Sequence, residues 1–302
     1  MTRLVDQIRE ACAWVATQAG HVRIHRDRIP AYAASLPLIP TLPATPAQGP
    51  SENAADERVF WLTLDAINFG SGWFPTLRKA PGRSGYFTIY DGLRRRFESA
   101  GLWTAGDLAV LKAGEIAQTL NQDPEHELMG LFAASLNDLG HNIVFHHQGS
   151  FEDAVQPTAV GLVEHLAGWK CFADSSVYED RSIPFLKRAQ IAAADLHRNG
   201  LATYGDLRRL TMFADNLVPH VLRLDGVLEF DAALTNRIDR QVLIEHGLPE
   251  EVEIRACALH AVELIAQASG RSPAELDQLL WGRGGHPDYK ARPRHRSRCT
   301  AY

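Results

Sequence analysis

The residues of this chain best suited to chemistry are acids set inside apolar sequence. Asp65 and Asn68 lie in Leu64-Asp-Ala-Ile-Asn-Phe69, with large hydrophobes on both sides. An ionised carboxylate there must find donors or shift its pKa, because removing it from water is expensive. An internal cap that takes backbone N–H groups and a place in a functional site are both open to it. Asp215 follows Leu210-Thr-Met-Phe-Ala214 and precedes Asn216-Leu-Val-Pro219, where one helical pattern breaks and Pro219 opens the next. Helix capping alone explains it, at about 1 kcal/mol. Asp277 lies just inside a helix that starts at Ser272, where the helix dipole favours an acid without any function. Glu251 and Arg255 form an i, i+4 pair in the favourable order, which structure alone accounts for. Glu253 is harder to place on a helix so apolar. Lys187-Arg188 offers charge for an anionic group, or simply a solvated helix face.

Several chemistries lack their motifs. There is no Walker A loop, no H-E-x-x-H and no G-x-S-x-G. Gly70-Ser-Gly72 lacks the third glycine and the acidic follow-up of a dinucleotide fingerprint. His141, His146 and His147 have no thiol or carboxylate at metal-ligand spacing and read as a surface cluster. Cys12, Cys171, Cys257 and Cys299 form no C-x-x-C, which suggests neither a zinc site nor a disulfide framework. No metal and no cofactor are expected.

The elements that must position these acids are mostly helices. Leu4, Ile8, Cys12 and Val15 recur at helical spacing up to Gly20. Residues 30–50 carry six prolines and read as an extended wrap or linker. The aromatic stretch from Val59 to Phe74 fits a buried strand or a buried helix, and Gly82–Tyr90 alternates weakly, as in a short hairpin. Helical patterns cover Glu125–Leu139, Ala159–Trp169, Phe185–Asn199, Leu207–Ala214 and Glu250–Ser269, with Gly200, Gly226 and Gly247 at expected stops. Thr104 with Asp107 resembles a capping box, and Ser272-Pro-Ala-Glu275 is a clear one. Residues 283–298 form a basic tail. The fold class is mainly α, with at most a small β-hairpin or sheet. Residues 1–302 are expected to form one compact unit, or two lobes: 1–150 with the Pro-rich segment, and 151–302 with most of the site.

Composition narrows the function classes. The 302 residues are 45% hydrophobic and 22% charged, which excludes wholesale disorder, a collagen-like chain and a disulfide mini-protein. With 31 basic and 36 acidic residues, net −5, no global positive field draws the chain onto nucleic acid. Charges break every candidate signal sequence and no apolar run is long enough to span a bilayer, so a cytoplasmic protein with reduced thiols is expected.

A set of blocks, in order, resembles the queuosine salvage family. They are Phe172-Ala-Asp-Ser-Ser-Val-Tyr178, Phe185-Leu-Lys-Arg-Ala-Gln-Ile191 with Ala194-Asp195, Leu210-Thr-Met-Phe-Ala-Asp215 with Val218-Pro219, and Glu251-Val-Glu-Ile-Arg255 with Val262-Glu-Leu264. Asp277 with Leu280-Trp281 and His295-Arg-Ser-Arg-Cys299 follow, and Asp65-Ala-Ile-Asn-Phe69 and Ser84-Gly-Tyr86 are weaker matches near the front. The resemblance implies a queuosine 5′-phosphate N-glycosylase that releases queuine and ribose 5-phosphate by hydrolysis. It implies a mostly helical fold related to helix-hairpin-helix DNA glycosylases, with residues 207–228 as the counterpart of their hairpin. It also implies that Phe213 stacks on the base, that Asp215 sits at the reacting centre and that Asp277 helps to hold substrate. The chain departs from the family pattern in three places. Asn216-Leu217 replaces an aromatic residue followed by Arg or Lys, Gly70-Ser-Gly-Trp73 replaces Ser-Phe-Trp, and the family's site histidine upstream of Asp65 has no counterpart in the Pro-rich segment.

These residue types suit that reaction. Breaking a glycosidic C–N bond builds positive charge on the sugar, which a fixed carboxylate stabilises or captures. A 7-deazapurine lacks N7, so its departure must be helped along the O6/N1/N2 edge and by shape. Asp65 and Asp277 are suited to accept from N1–H and N2–H₂ or to pair with the cationic amine of the queuine side chain, and Asn68 is a further substrate-binding candidate. Phe213 would add stacking of roughly 1–3 kcal/mol. Lys187, Arg188 and the terminal arginines are candidates for the 5′-phosphate. The expected partners are that small-molecule nucleotide and queuine, with no membrane and no stable nucleic-acid complex. The alternatives are a helix-hairpin-helix nucleic-acid-binding protein or DNA lesion glycosylase, and a non-catalytic binding module for a queuine-like base.

Overall fold

In the computed structural model, residues 3–37 and 54–302 are described. α1 (Leu4–Gln18) buries Val5, Ile8, Cys12 and Val15, one stripe of a 3.6-residue period, and leads to β1 (Val22–Ile24). α2 (Ile29–Ser35) carries Pro30 in its first turn, where a missing N–H removes no helical bond. Residues 30–35 are therefore helical rather than extended, and residues 38–50 of the Pro-rich segment lie outside the described residues. α3 (Ala54–Ala66) settles the aromatic stretch as a helix whose last seven residues are all buried. α4 (Gly85–Ala100) stands where a hairpin was expected. Ser84 Oγ accepts from Phe87 N at 3.3 Å to start it, and Gly85, Ile89, Tyr90 and Leu93 are buried at helical spacing.

α5 (Ala105–Val110) opens on the Thr104/Asp107 capping box, followed by α6 (Ala113–Leu120), α7 (Glu127–His147), α8 (Phe151–Ala154) and α9 (Ala159–Leu166). β2 (Ser175–Tyr178) and β3 (Arg181–Pro184) form an antiparallel ribbon that leads into α10 (Lys187–Arg198). After α11 (Val218–Leu224), β4 (Leu228–Phe230) pairs antiparallel with β1, Arg23 opposite Glu229. The chain then runs through α12 (Ala232–Asp239), α13 (Pro249–Ser269), α14 (Pro273–Arg283) and α15 (Pro287–Lys290). The fold is mainly α, with two small two-stranded sheets. Among the described residues no helix is long and apolar enough to cross a membrane.

Two further expectations change. Gly200 and Gly226 follow helices at positive φ, but Gly247 does not end one: it lies in the turn before α13, its N–H donating to Glu251. Of residues 207–214 only Leu207–Arg209 coil, as a single 3-10 turn. The rest forms no helix because side chains claim its backbone. Thr211 N donates to Gln190 Oε1 (2.8 Å), Phe213 N donates to Asp277 Oδ1 (3.0 Å), and Ala214 O accepts from Arg255 Nε (3.0 Å).

α13 is the central helix, packed against α1, α2 and α14. Its acid Glu253 is 1% exposed and serves the α1–β1 turn, accepting from the N–H groups of Gly20 (3.2 Å), His21 (2.6 Å) and Val22 (3.0 Å) and from Tyr178 Oη (2.8 Å). One carboxylate thus does for this turn what a sheet ladder would otherwise do. Glu253→Ala is expected to cost roughly 2–4 kcal/mol, since water reaches only part of what it strands. Glu253→Gln, which keeps one acceptor oxygen, should recover about half of that loss in urea unfolding.

The basic tail is threaded through the molecule rather than solvated along its length. His295, Ser297, Cys299, Ala301 and Tyr302 are buried. Ile244 N donates to Arg296 O (2.9 Å), Gly70 N to Tyr302 O (3.0 Å) and Asn216 Nδ2 to His295 O (3.1 Å). A Cβ on Gly72 would lie 2.4 Å from Ser297 O, so only glycine lets the tail pass there.

Candidate active site

Residues 211–214, which form no regular element, are fixed by side chains from α10, α13 and α14, and Asp215 follows in a bend. Asp215 Oδ1 accepts from Leu217 N (2.7 Å) and Val218 N (3.3 Å), so the carboxylate caps α11 while remaining partly exposed. The capping expectation and a site role are therefore compatible, because the second oxygen is not used by the cap. Asp277 on α14 is buried, and its bond from Phe213 N ties the Phe213 backbone to that helix.

Lys187 and Arg188 open α10, and both are buried instead of forming a solvated face. Leu186 before them adopts a left-handed φ of 52°, and Asp174 holds this corner. Its backbone O accepts from Phe185 N and Leu186 N, and its Oδ2 accepts from Lys187 N at 3.0 Å. From there the two cations reach the C-terminal end of α3, whose last carbonyls have no helical partner. Lys187 Nζ donates to Asn68 O (2.8 Å) and Asn68 Oδ1 (3.2 Å), and Arg188 Nη1 donates to Ala66 O. Arg188 also lies 4.9 Å from the Phe69 ring centre.

The acids gathered around Lys187 have displaced pKa values. Burial pushes Asp65 well above the usual carboxylate range, Asp195 adds to the shift, and Lys187 opposes it. Neither oxygen of Asp65 has a hydrogen-bond partner. Burial also raises Asp277, with the Asp215 charge pushing the same way. Burial lowers Lys187, against the pull of Asp215 and Asp65. Asp195 is raised by burial while its ion pair with Arg198 (2.6 Å) resists. Two buried carboxyls whose pKa values are raised, beside a third acid and a lysine, are the kind of arrangement that divides acid and base roles.

The structure thus brings Asp65, Asn68, Lys187, Phe213, Asp215 and Asp277 to one place and leaves Arg188 engaged beneath it. Tyr86, whose hydroxyl is raised by burial and by Asp195 and Asp65, and Asp195 itself join the cluster, and Trp281 meets the Tyr86 ring edge-on at 6.0 Å. Tyr86 and Asp195 both fall within blocks that carry the family resemblance, Ser84-Gly-Tyr86 and Ala194-Asp195, but their place among the acids shows only in the structure. Two of the departures from the family pattern touch each other, Asn216 Nδ2 donating to Ser71 Oγ at 3.1 Å. An open groove of about 480 Å³ elsewhere, lined by Arg95, Arg96, Trp103 and Glu115, holds no comparable chemistry, since Glu115 caps its own helix. His141 and His146 are exposed, and His147 Nε2 lies 2.9 Å from His165 Nε2. Among the described residues no group of three or more His, Cys, Asp or Glu is arranged to hold a metal.

The sequence model of the queuosine salvage protein family matches residues 49–302. The chain belongs to that family. Its relatives include a queuosine 5′-phosphate N-glycosylase/hydrolase of Sphaerobacter thermophilus, 33% identical over 258 residues and covering 80% of each chain. Proteins of the same name from Bos taurus (29% over 245 residues, 72% of each chain) and Mus musculus (32% over 189 residues, 55% of this chain and 56% of the other) are also similar. The queuosine salvage match spans every helix of the acid cluster, from α3 to α14.

Proposed function

We propose that this protein hydrolyses the N-glycosidic bond of queuosine 5′-monophosphate and releases queuine and ribose 5-phosphate. The observation that carries this reading is the convergence, in a queuosine salvage family chain, of Asp215 with two buried carboxyls of raised pKa and Lys187. Asp215 is the carboxylate that faces the sugar as its C1′–N9 bond breaks. Water consumed in the step leaves its oxygen on C1′ and a proton on N9. Positive charge on the ribose is greatest in the transition state, so a fixed negative charge lowers the barrier more than it strengthens ground-state binding.

A neutral carboxyl presents one donor and one acceptor, the complement of a lactam edge with its N1–H and O6. Burial favours the neutral form of Asp65, and in that form it would make such a pair without the desolvation penalty of a buried charge. Asp277 keeps one oxygen on Phe213 N, so its grip on substrate and the placement of the Phe213 ring are coupled. Lys187 ties Asn68 to this set.

Incubating the protein with queuosine 5′-monophosphate and separating the products by chromatography tests the reading. Free queuine and ribose 5-phosphate in equal amounts are expected, with the same yield after chelator treatment. Bound but intact nucleotide would instead favour the non-catalytic binding module.

A further inference from the structure

Most arginines near the core of this molecule meet a carboxylate. Arg9 pairs with Glu263 (3.1 Å), Arg94 with Glu57 (2.5 Å), Arg237 with Glu250 (2.7 Å), Arg255 with Asp174 (2.7 Å) and Arg283 with Asp225 (3.4 Å). Arg294 does not. It is half-buried in the threaded tail, and among the described residues its guanidinium makes neither a hydrogen bond nor an ion pair. Its backbone position is nonetheless firmly set. The next residue's carbonyl is held by Asn216 Nδ2 at 3.1 Å, immediately after Asp215, and Arg296 O is held by Ile244 N at 2.9 Å. The tail also presses on the 70–79 loop, where Gly72 leaves room for Ser297 O, and Lys79 of that loop donates to Phe74 O at 2.8 Å.

The Asn216 bond to His295 O sets Arg294 close to Asp215, whose charge it feels, and Arg296 and Lys79 lie near Arg294, with none of the three ion-paired to a carboxylate among the described residues. Burial lowers the lysine, and the charges of Arg296 and Arg294 lower it further. Arg294 in turn feels Asp215 as its attracting charge and Arg296 as a repelling one, while the buried His220 and His295 also face it. Three like charges gathered with no carboxylate of their own, Lys79 donating only to Phe74 O and Arg296 to Gln241 Oε1, raise the energy of the folded chain unless an anion completes them. A fork of guanidinium N–H groups matches two oxygens of a phosphate monoester. The earlier candidates are less suited, since Lys187 Nζ already donates to Asn68 and Arg188 to Ala66 O.

We infer that Arg294 grips the 5′-phosphate of the substrate, with Lys79 and Arg296 supplying the surrounding positive field. This rests on the nucleotide reading above, and it assigns to the tail the choice between nucleotide and nucleoside. The arginine would anchor the ribose from its 5′ end while Asp215 faces the other side of the ring. Removing Arg294 strands no partner in the protein, so Arg294→Gln should fold normally.

The test compares kcat/KM for queuosine 5′-monophosphate and for queuosine in wild type, Arg294→Gln and Arg294→Lys. The nucleotide-over-nucleoside ratio is expected to fall roughly 10- to 100-fold in the glutamine variant and to recover in part in the lysine variant. Titration calorimetry with ribose 5-phosphate should show binding to wild type that weakens by a similar factor in Arg294→Gln. An unchanged ratio together with unchanged ribose 5-phosphate binding would overturn the assignment. If wild type cleaves neither substrate, the hydrolase reading fails separately, and the calorimetric arm still decides whether Arg294 holds a sugar phosphate.

Discussion

Asp215→Asn is expected to lower the rate of nucleotide hydrolysis by roughly 10²–10³-fold, with little change in stability. The asparagine variant is the informative one because the side chain has two jobs in the structure. Its Oδ1 accepts from Leu217 N and Val218 N, and an amide oxygen can keep those bonds. Alanine would also remove the cap of α11, at about 1 kcal/mol, and so mix a folding effect with a chemical one. What asparagine lacks is the charge that opposes the positive sugar. The loss should fall on kcat more than on KM, since the ground-state nucleotide carries no such charge at C1′. Retention of more than about a tenth of the wild-type rate would remove Asp215 from the reacting centre. Asp277→Asn is a useful companion, because it keeps an acceptor for Phe213 N and leaves Asp215 in place.

The sequence singles out Asp65 because a carboxyl between large hydrophobes needs an explanation, whereas capping and the helix dipole account locally for Asp215 and Asp277, which only the family resemblance marks. Local patterns also suffice for α1, α13 and the Ser272 box, where stripe, period and cap all fall within a few residues. Legibility ends where partners are distant in sequence. Glu253 makes no sense on an apolar helix until Gly20–Val22 arrive from more than two hundred residues away. Lys187 and Arg188 read as solvated until the end of α3 presents its carbonyls to them. Residues 210–214 keep a helical pattern yet form no helix, because side chains of three helices take their backbone groups instead. At Gly82–Tyr90 the weak alternation misleads because the cap at Ser84, not the apolar period, decides the structure. The tail is basic in composition, but its backbone and its alternate residues are what the fold buries.

Arg255→Met is expected to be the most destabilising single change discussed, at about 3–5 kcal/mol. Arg255 is fully buried and flat between two rings, 3.9 Å from the Phe185 centre and 4.5 Å from that of Tyr302. Its Nη2 donates to Asp174 Oδ2 at 2.7 Å, its Nε to Ala214 O at 3.0 Å, and its Nη1 lies 3.8 Å from Glu251. Methionine fills much of the volume but leaves the Asp174 carboxylate buried without its cation and Glu251 with His246 alone. Burial alone would raise Glu251, yet His246 and Arg255 bring it down to about 2 from 4.5. A depressed carboxylate contributes stability that is complete above its unfolded value and is lost as pH falls through its folded one. In wild type that loss runs from about 4.5 down to about 2, and in the variant, with less depression, there is less of it to lose. Urea unfolding measured at pH 7 and again at pH 4 should therefore show the two proteins differing most at the higher pH. The same arginine links Ala214, next to Asp215, to Asp174, which sets the start of α10 and hence Lys187. A positioning role predicts that Arg255→Lys, which keeps the charge but not the planar fork, loses kcat out of proportion to its loss of stability. A lysine variant with wild-type kcat would leave Arg255 as a packing residue only.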